Sequence, residues 1–353
     1  MSRKTKTAIA YTVLASTIML SGCGLFGGED KKIDEPQDLT YLKDASELKE
    51  KDKSKEAKEA KEAKADIKTE LYLFDKNGYV VPQTLVLPAS EGVAKQALEY
   101  LVEGGPVQEL LPNGFRAVLP ADTKIDLDVK DGVATVDFSK EFKEYKAADE
   151  NRILQSITWT LTQFDSIKKV SLKLNGKELT EMPVNHTPVT KYLTRSAGIN
   201  IDTSGVTDIF NSKPVTVYYL GGEKEDYYYV PVTKRISGAS GDAVTAAVNE
   251  LVKGPAFTSK LLTDFDPEIA LLEAPKVEEG KVTLNFNKAV LSSKKDNQVS
   301  SYLLDSLVLS LTEQKDIKSV QIMVDGKEKL TTEEGKEITA PVTRPEKVNT
   351  GSF

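Results

Sequence analysis

The chain has one cysteine, Cys23, one histidine, His186, and one tryptophan, Trp159. A single cysteine excludes an intramolecular disulfide and a Cys-rich zinc site. A single histidine excludes His-pair metal sites and leaves a Ser-His-Asp triad one candidate. Aromatic residues make up only 7% of the 353 residues. Positive charge is not in excess either: 47 Lys and Arg face 54 Asp and Glu, for a net charge of −7. A nucleic-acid binder needs a basic stripe to neutralise phosphates, so no nucleic-acid partner is expected. A permanent membrane span is also missing from the N-terminus. The apolar run from Thr7 to Leu20 would make a helix of about 21 Å, short of the roughly 30 Å hydrocarbon core.

What stands at the N-terminus is a targeting pattern. Arg3, Lys4 and Lys6 precede the apolar run, which ends in Leu20-Ser21-Gly22-Cys23. A basic n-region, a short apolar h-region and small residues before a cut read as a secretory signal. The four residues also resemble the lipobox of bacterial lipoproteins. That resemblance implies cleavage between Gly22 and Cys23 and a covalent diacylglyceryl group on the Cys23 thiol, with no other cofactor. Two acyl chains suffice for stable anchoring to a membrane. Loss of residues 1–22 removes three basic and no acidic residues, leaving 44 against 54, or −10.

Residues 23–66 read as a tether. Between Lys43 and Lys64 lie eight Lys and seven Asp or Glu, with Leu48 the one aliphatic residue larger than alanine. Such a segment cannot bury enough surface to offset its ordering entropy. The Lys-Glu-Ala repeat over 55–63 favours helix by propensity, but its period of three sets like charges at i,i+3. The expectation is a solvated spacer or fluctuating helix that holds a folded head away from a membrane.

The rest of the chain repeats itself. Leu101-Val102-Glu103-Gly104 followed by Pro106 returns as Leu251-Val252-Lys253-Gly254-Pro255. Asp131-Gly132 through Asp137-Phe138 returns as Glu279-Gly280 through Asn285-Phe286, and Asn175-Gly176-Lys177-Glu178 as Asp325-Gly326-Lys327-Glu328. Pro188-Val189-Thr190 returns as Pro341-Val342-Thr343. The order is kept and the offset stays between 146 and 153 residues. A fixed-order repeat of this length means two copies of one domain, 67–194 and 212–345, joined by a linker over 195–211 and followed by a tail over 346–353. Strand alternation at Val170, Leu172 and Leu174 matches Val320, Ile322 and Val324. Helical spacing places Ala94, Ala97, Leu98 and Leu101 on one stripe and Leu154, Ile157, Leu161 and Phe164 on another. The predicted fold class is α+β: two tandem two-layer α/β domains, each a mixed sheet with two helices on one face. Each copy has enough apolar residues for its own core. The linker is not inherently rigid, so a fixed separation would have to come from domain–domain packing.

The lipobox, the charged spacer and the two units carrying Leu-Val-x-Gly-(x)-Pro together resemble the tandem GerMN-domain family of sporulation lipoproteins. The resemblance covers essentially the whole chain. It implies an α/β unit akin to the ring-building modules of envelope secretion machines. It also implies an extracytoplasmic lipoprotein in the space between the two membranes around the forespore. There the family supports assembly of a channel complex between mother cell and forespore, so sporulation-channel or other envelope proteins are the implied partners.

Other chemical features read blandly. Asp126 and Asp128 fall on the solvent side of a strand, and Asp264-Phe265-Asp266-Pro267 is a turn. His186 lies in a loop without a counterpart in the second copy. Gly238-Ala239-Ser240-Gly241 lacks the spacing of a nucleophile elbow; Ser240 or Asp242, and Ser90 in the first copy, read as helix N-caps. Trp159 reads as core or helix-edge packing. Tyr227, Tyr228 and Tyr229 form the one aromatic cluster, half facing a core and half a candidate contact patch. No catalytic or metal-binding residue is expected. Two function classes follow: a non-catalytic anchored scaffold, or a module that binds or remodels cortex peptidoglycan. Matched positions between the copies are core residues and turn glycines and prolines rather than chemistry, which favours the scaffold.

Overall fold

A computed structural model of the chain describes residues 66–350, except 224–225 and 239–240. Gly22, Cys23 and the tether up to residue 65 lie outside the described residues. The first copy opens with β1 (Ile67–Phe74) and β2 (Val80–Leu87), an antiparallel pair in register from Ile67↔Leu87 to Phe74↔Val80. Then come α1 (Val93–Glu99), β3 (Ile125–Lys130), β4 (Val133–Phe138), α2 (Glu150–Leu161), β5 (Lys169–Leu174) and β6 (Lys177–Glu178). The second copy begins with β7 (Ser212–Gly221), β8 (Tyr228–Ser237), α3 (Ala243–Lys253), β9 (Lys276–Glu278), β10 (Lys281–Phe286) and β11 (Gln298–Val299). It continues with α4 (Ser301–Thr312), β12 (Ser319–Val324), β13 (Leu330–Thr332), β14 (Glu337–Ile338) and β15 (Val342–Thr343).

The mixed sheets follow from alternation. Ala134, Val136 and Phe138 of β4 are buried, as are Val282, Leu284 and Phe286 of β10, while the residues between them are half-exposed. β4 pairs antiparallel with β3 and parallel with β5, and β10 pairs in the same way with β9 and β12. The β3–β4 turn places Asp131 at φ 52° and Gly132 at φ 75°, the two left-handed residues a type I′ hairpin turn requires. Asp126 and Asp128 are exposed on β3, an edge strand of its sheet, where charge discourages pairing with another chain.

The tandem α+β organisation is therefore the observed fold, with two local departures. The opening hairpins stay apart from the mixed sheets as two-stranded sheets of their own. The free edge of β1 is engaged by helix side chains. Tyr72 N donates to Thr160 Oγ1 at 3.1 Å, Glu70 N to Gln163 Oε1 at 2.8 Å, and Ser156 Oγ donates to Tyr72 O. In the second copy Tyr218 N donates to Ser310 Oγ at 2.9 Å. Backbone groups engaged this way are not open to another strand. Consequently α2 and α4 are covered on a polar side as well as an apolar one, with Ser156, Thr160, Ser306 and Ser310 all buried.

The second departure concerns caps. Asp242 caps α3 by accepting from Thr245 N at 2.8 Å, as expected. Ser90 does not cap α1: the helix starts at Val93 behind Gly92, and the Ser90 hydroxyl turns to Gln96 Oε1. Leu101 falls beyond α1, and its carbonyl accepts from Val118 N and Leu119 N instead of continuing the helix. Trp159 is buried core, 1% exposed.

Glu150, at the start of α2, is 1% exposed. Its carboxylate accepts from Val184 N, Asn185 N, Thr187 N and Tyr145 OH at 2.5–3.2 Å. These bonds pin the loop that carries His186, whose ring remains exposed beside Glu181. Burial alone would raise the Glu150 pKa, but the donors hold it down to about 2, against 4.5 ordinarily. A carboxyl depressed in the folded state adds stability that is complete above the unfolded pKa and lost as pH falls through the folded one. Glu150→Gln is expected to lower unfolding free energy by about 1–3 kcal/mol at pH 7. The gap to the unsubstituted chain should narrow between pH 4.5 and 2. Denaturant unfolding at both ends of that window measures it; a gap independent of pH contradicts the assignment.

Candidate functional site

A densely bonded site lies at the junction between the copies. It begins at β2 and β8, which lie side by side with Pro82 and Pro231 at matching positions. Proline has no N–H to give to a ladder, so the two hairpins do not merge into one sheet. Two asparagine side chains bridge them instead. Asn200 Oδ1 accepts from Val80 N at 2.9 Å, and Asn200 Nδ2 donates to Val80 O and Pro231 O at 2.8 Å. Asn349 Oδ1 accepts from Tyr229 N, and Asn349 Nδ2 donates to Tyr229 O and Pro82 O, all at 2.8 Å. Both asparagines adopt left-handed backbone, at φ 45° and 56°, a region asparagine tolerates better than most residues.

The residues before the asparagines repeat the reciprocity. Ile199 N donates to Thr233 Oγ1 and Thr233 N to Ile199 O. Val348 N donates to Thr84 Oγ1 and Thr84 N to Val348 O. The segment that follows the first copy thus docks on β8 of the second, and the segment that follows the second docks on β2 of the first. Exchanging the copies leaves the pattern unchanged, the self-complementary logic of an isologous dimer built within one chain.

Beneath these segments lies a half-buried charge cluster, with Glu313 its most enclosed member at 11% side-chain exposure. Arg195 Nη1 donates to Glu313 Oε1 at 2.6 Å, while Arg344 approaches Glu313 at 3.6 Å and Glu70 at 3.5 Å. Tyr72 OH donates to Glu70, and Tyr218 OH to Glu313, each at 3.1 Å. The Arg195 guanidinium lies 4.4 Å from the Trp159 ring and 6.0 Å from the Tyr72 ring, and Arg344 lies 5.6 Å from the Tyr218 ring. Burial acts to raise the Glu313 pKa, but Arg195 and Arg344 hold it below the usual carboxylate range. Burial pushes the Tyr72 and Tyr218 phenols up. Two cations and two anions balance, with residues of both copies needed for the balance.

A half-open cavity of about 160 Å³ reaches this cluster, lined by Arg195, Thr216, Thr233 and Gln314 among others. Its polar groups are already engaged: Arg195 with Glu313, Thr216 with Thr233 at 2.8 Å, and Gln314 with Ala243 O. Among the described residues no group of three His, Cys, Asp or Glu could hold a metal ion, and no helix is long and apolar enough to cross a membrane.

The three tyrosines read from the sequence are split by the junction. Tyr228 is buried, donates to Asp75 of the first copy at 2.8 Å and meets Phe115 edge-on. Tyr229 is half-buried and donates to Asp305 at 3.0 Å. Tyr227 is half-exposed and packs at right angles on Tyr302, with centroids 5.5 Å apart. Sequence reasoning missed Arg195, Asn200, Arg344 and Asn349. The signal was present: Thr194-Arg195 and Ile199-Asn200 recur as Thr343-Arg344 and Val348-Asn349, at and just beyond the ends assigned to the copies.

Fold and junction together define a tandem of α/β units clasped by each other's C-terminal segments. The chain belongs to the Germane family, described as sporulation and spore germination, whose model matches residues 70–180 and 216–330. It is 53% identical, over the whole length of both chains, to the spore germination protein GerM of Bacillus subtilis (strain 168). Its structure is similar to that of the tandem GerMN domains of B. subtilis GerM, with a TM-score of 0.77 and 56% identity over 82% of this chain and all of that one. A structure of the first GerMN domain of that protein matches 36% of this chain and 97% of its own at 67% identity, with a TM-score of 0.36.

Removing one member of a buried ion cluster leaves an uncompensated charge. Glu313→Gln is expected to destabilise the folded chain by about 3–5 kcal/mol, measured by denaturant unfolding at pH 7. A double replacement, Glu313→Leu with Arg195→Met, should recover much of the loss. A single substitution within about 1 kcal/mol of the parent would place the stability of the junction elsewhere.

Proposed function

We propose that this chain is a non-catalytic, lipid-anchored scaffold of the sporulating envelope. In this reading it lies outside the cytoplasm, between the membranes around the forespore, and helps assemble the channel complex that links the two compartments. The family description and the name of the B. subtilis relative support the role in sporulation and germination. The lipobox at Leu20–Cys23 supports the anchor on Cys23. The observation that carries the scaffold reading is the junction. Asn200, Asn349 and the Arg195–Glu313 pair hold both copies in one orientation, so any surfaces they present stay at a fixed separation. A rigid spacer between partners needs that property, whereas a pair of independent wall-binding modules does not.

The test is complementation of a spore former that lacks its GerM. The intact chain is expected to restore heat-resistant spores. Cys23→Ala should be washed from membranes without detergent. A chain carrying both Asn200→Ala and Asn349→Ala should accumulate normally yet restore few spores. Full restoration by that double variant, joined to binding of purified cortex peptidoglycan, would contradict the scaffold and favour the wall module.

A further inference from the structure

The aromatic corner formed by Tyr227, Tyr229 and Tyr302 is not absorbed by the junction. Tyr302, in the first turn of α4, is 37% exposed and is the ring on which the other two converge, Tyr227 at 5.5 Å and 90° and Tyr229 at 6.5 Å and 52°. Asp305 lies one turn further along α4, half-buried, and accepts from Tyr229 OH. Among the described residues Asp305 has no ion-pair partner within 4 Å. Burial raises its pKa, with Glu334 adding to the rise and Lys336 opposing it. Burial raises the Tyr229 phenol, and the Asp305 carboxylate beside it adds to the rise. Among the described residues, the carboxylate in direct contact with the rings is Asp305, through Tyr229 OH.

The first copy shows what fills the same corner there. Arg152 occupies the position of Tyr302, and Gly78 that of Tyr227. A Cβ on Gly78 would stand 2.9 Å from Arg152 Cζ, so the guanidinium lies directly over the glycine. Arg152 is held by Asp149 at 2.9 Å. The first copy closes its corner with its own cation, whereas among the described residues the second presents rings and a carboxylate there.

We propose that the Tyr227–Tyr229–Tyr302 corner, with Asp305, is a docking surface for a lysine or arginine side chain on a partner protein. A cation over a tyrosine face is attracted by the ring quadrupole, and a neighbouring carboxylate adds Coulomb attraction. This deepens the scaffold reading, and rests on it, by naming the chemistry of one partner.

The experiment is calorimetric titration of the full mature chain with a hexalysine peptide, its ε-acetylated form and an N-acetylglucosamine hexamer. Hexalysine should bind and its acetylated form should not. Tyr302→Leu, which leaves net charge unchanged, should weaken binding about fivefold or more, while Tyr302→Phe keeps the ring face and should stay within about twofold. Tyr302 is at the surface, and matching melting temperatures of the two variants establish that folding is intact. No binding by the parent chain, or equal binding by parent and Tyr302→Leu, overturns the proposal. So does binding of the sugar hexamer alone through Tyr302, which would assign the corner to a glycan. A Tyr302→Leu chain that loses the peptide yet still restores heat-resistant spores overturns this surface and leaves the scaffold standing.

Discussion

Charged groups are costly to remove from water unless each meets an opposite charge in good geometry. Arg195 and Glu313 meet that condition at 2.6 Å across the copies, and Arg344 joins them by looser approaches of 3.5–3.6 Å to Glu70 and Glu313. Arg195 follows the first copy and bonds Glu313, which ends α4 of the second. Arg344 follows β15 of the second and reaches Glu70 on β1 of the first. Separating the copies would leave each with buried or newly wetted charges and with tyrosines tuned to a dry site. The buried apolar core is likewise continuous across both copies.

The backbone reinforces the same constraint by a different route. Two antiparallel hairpins placed edge to edge invite a continuous ladder, and open ladders also invite other chains. Pro82 and Pro231 remove the donors such a ladder would need, and the amides of Asn200 and Asn349 return them from segments of fixed length. The pairing is therefore specific to this chain's own C-terminal segments.

Much of this was legible in the amino-acid sequence. Period-two and helical patterns located β4, β5, α2 and their counterparts, and the ordered repeat revealed the duplication. The Asp131-Gly132 turn followed from its residue types. The junction was not legible, because its residues carry no hydrophobic period. Apolar patterning stops near Leu193 and Val342, and the isolated arginine and asparagine beyond them look like linker chemistry. The buried hydroxyls of Ser156 and Thr160 were hidden for a similar reason: a polar residue on a helix implies solvent until a strand edge is found beside it. The tyrosine run was visible, but period-two alternation cannot say whether an inward tyrosine meets its own core or a neighbouring copy, as Tyr228 does with Asp75.

The central claim is that the exchanged segments make the tandem one rigid body. Small-angle X-ray scattering of residues 66–350, beside the same chain ended at residue 345, tests it most directly. The account predicts a single narrow distance distribution for 66–350. It predicts a broader one once Val348 and Asn349 are gone. A broad, two-bead distribution for 66–350 itself would contradict it.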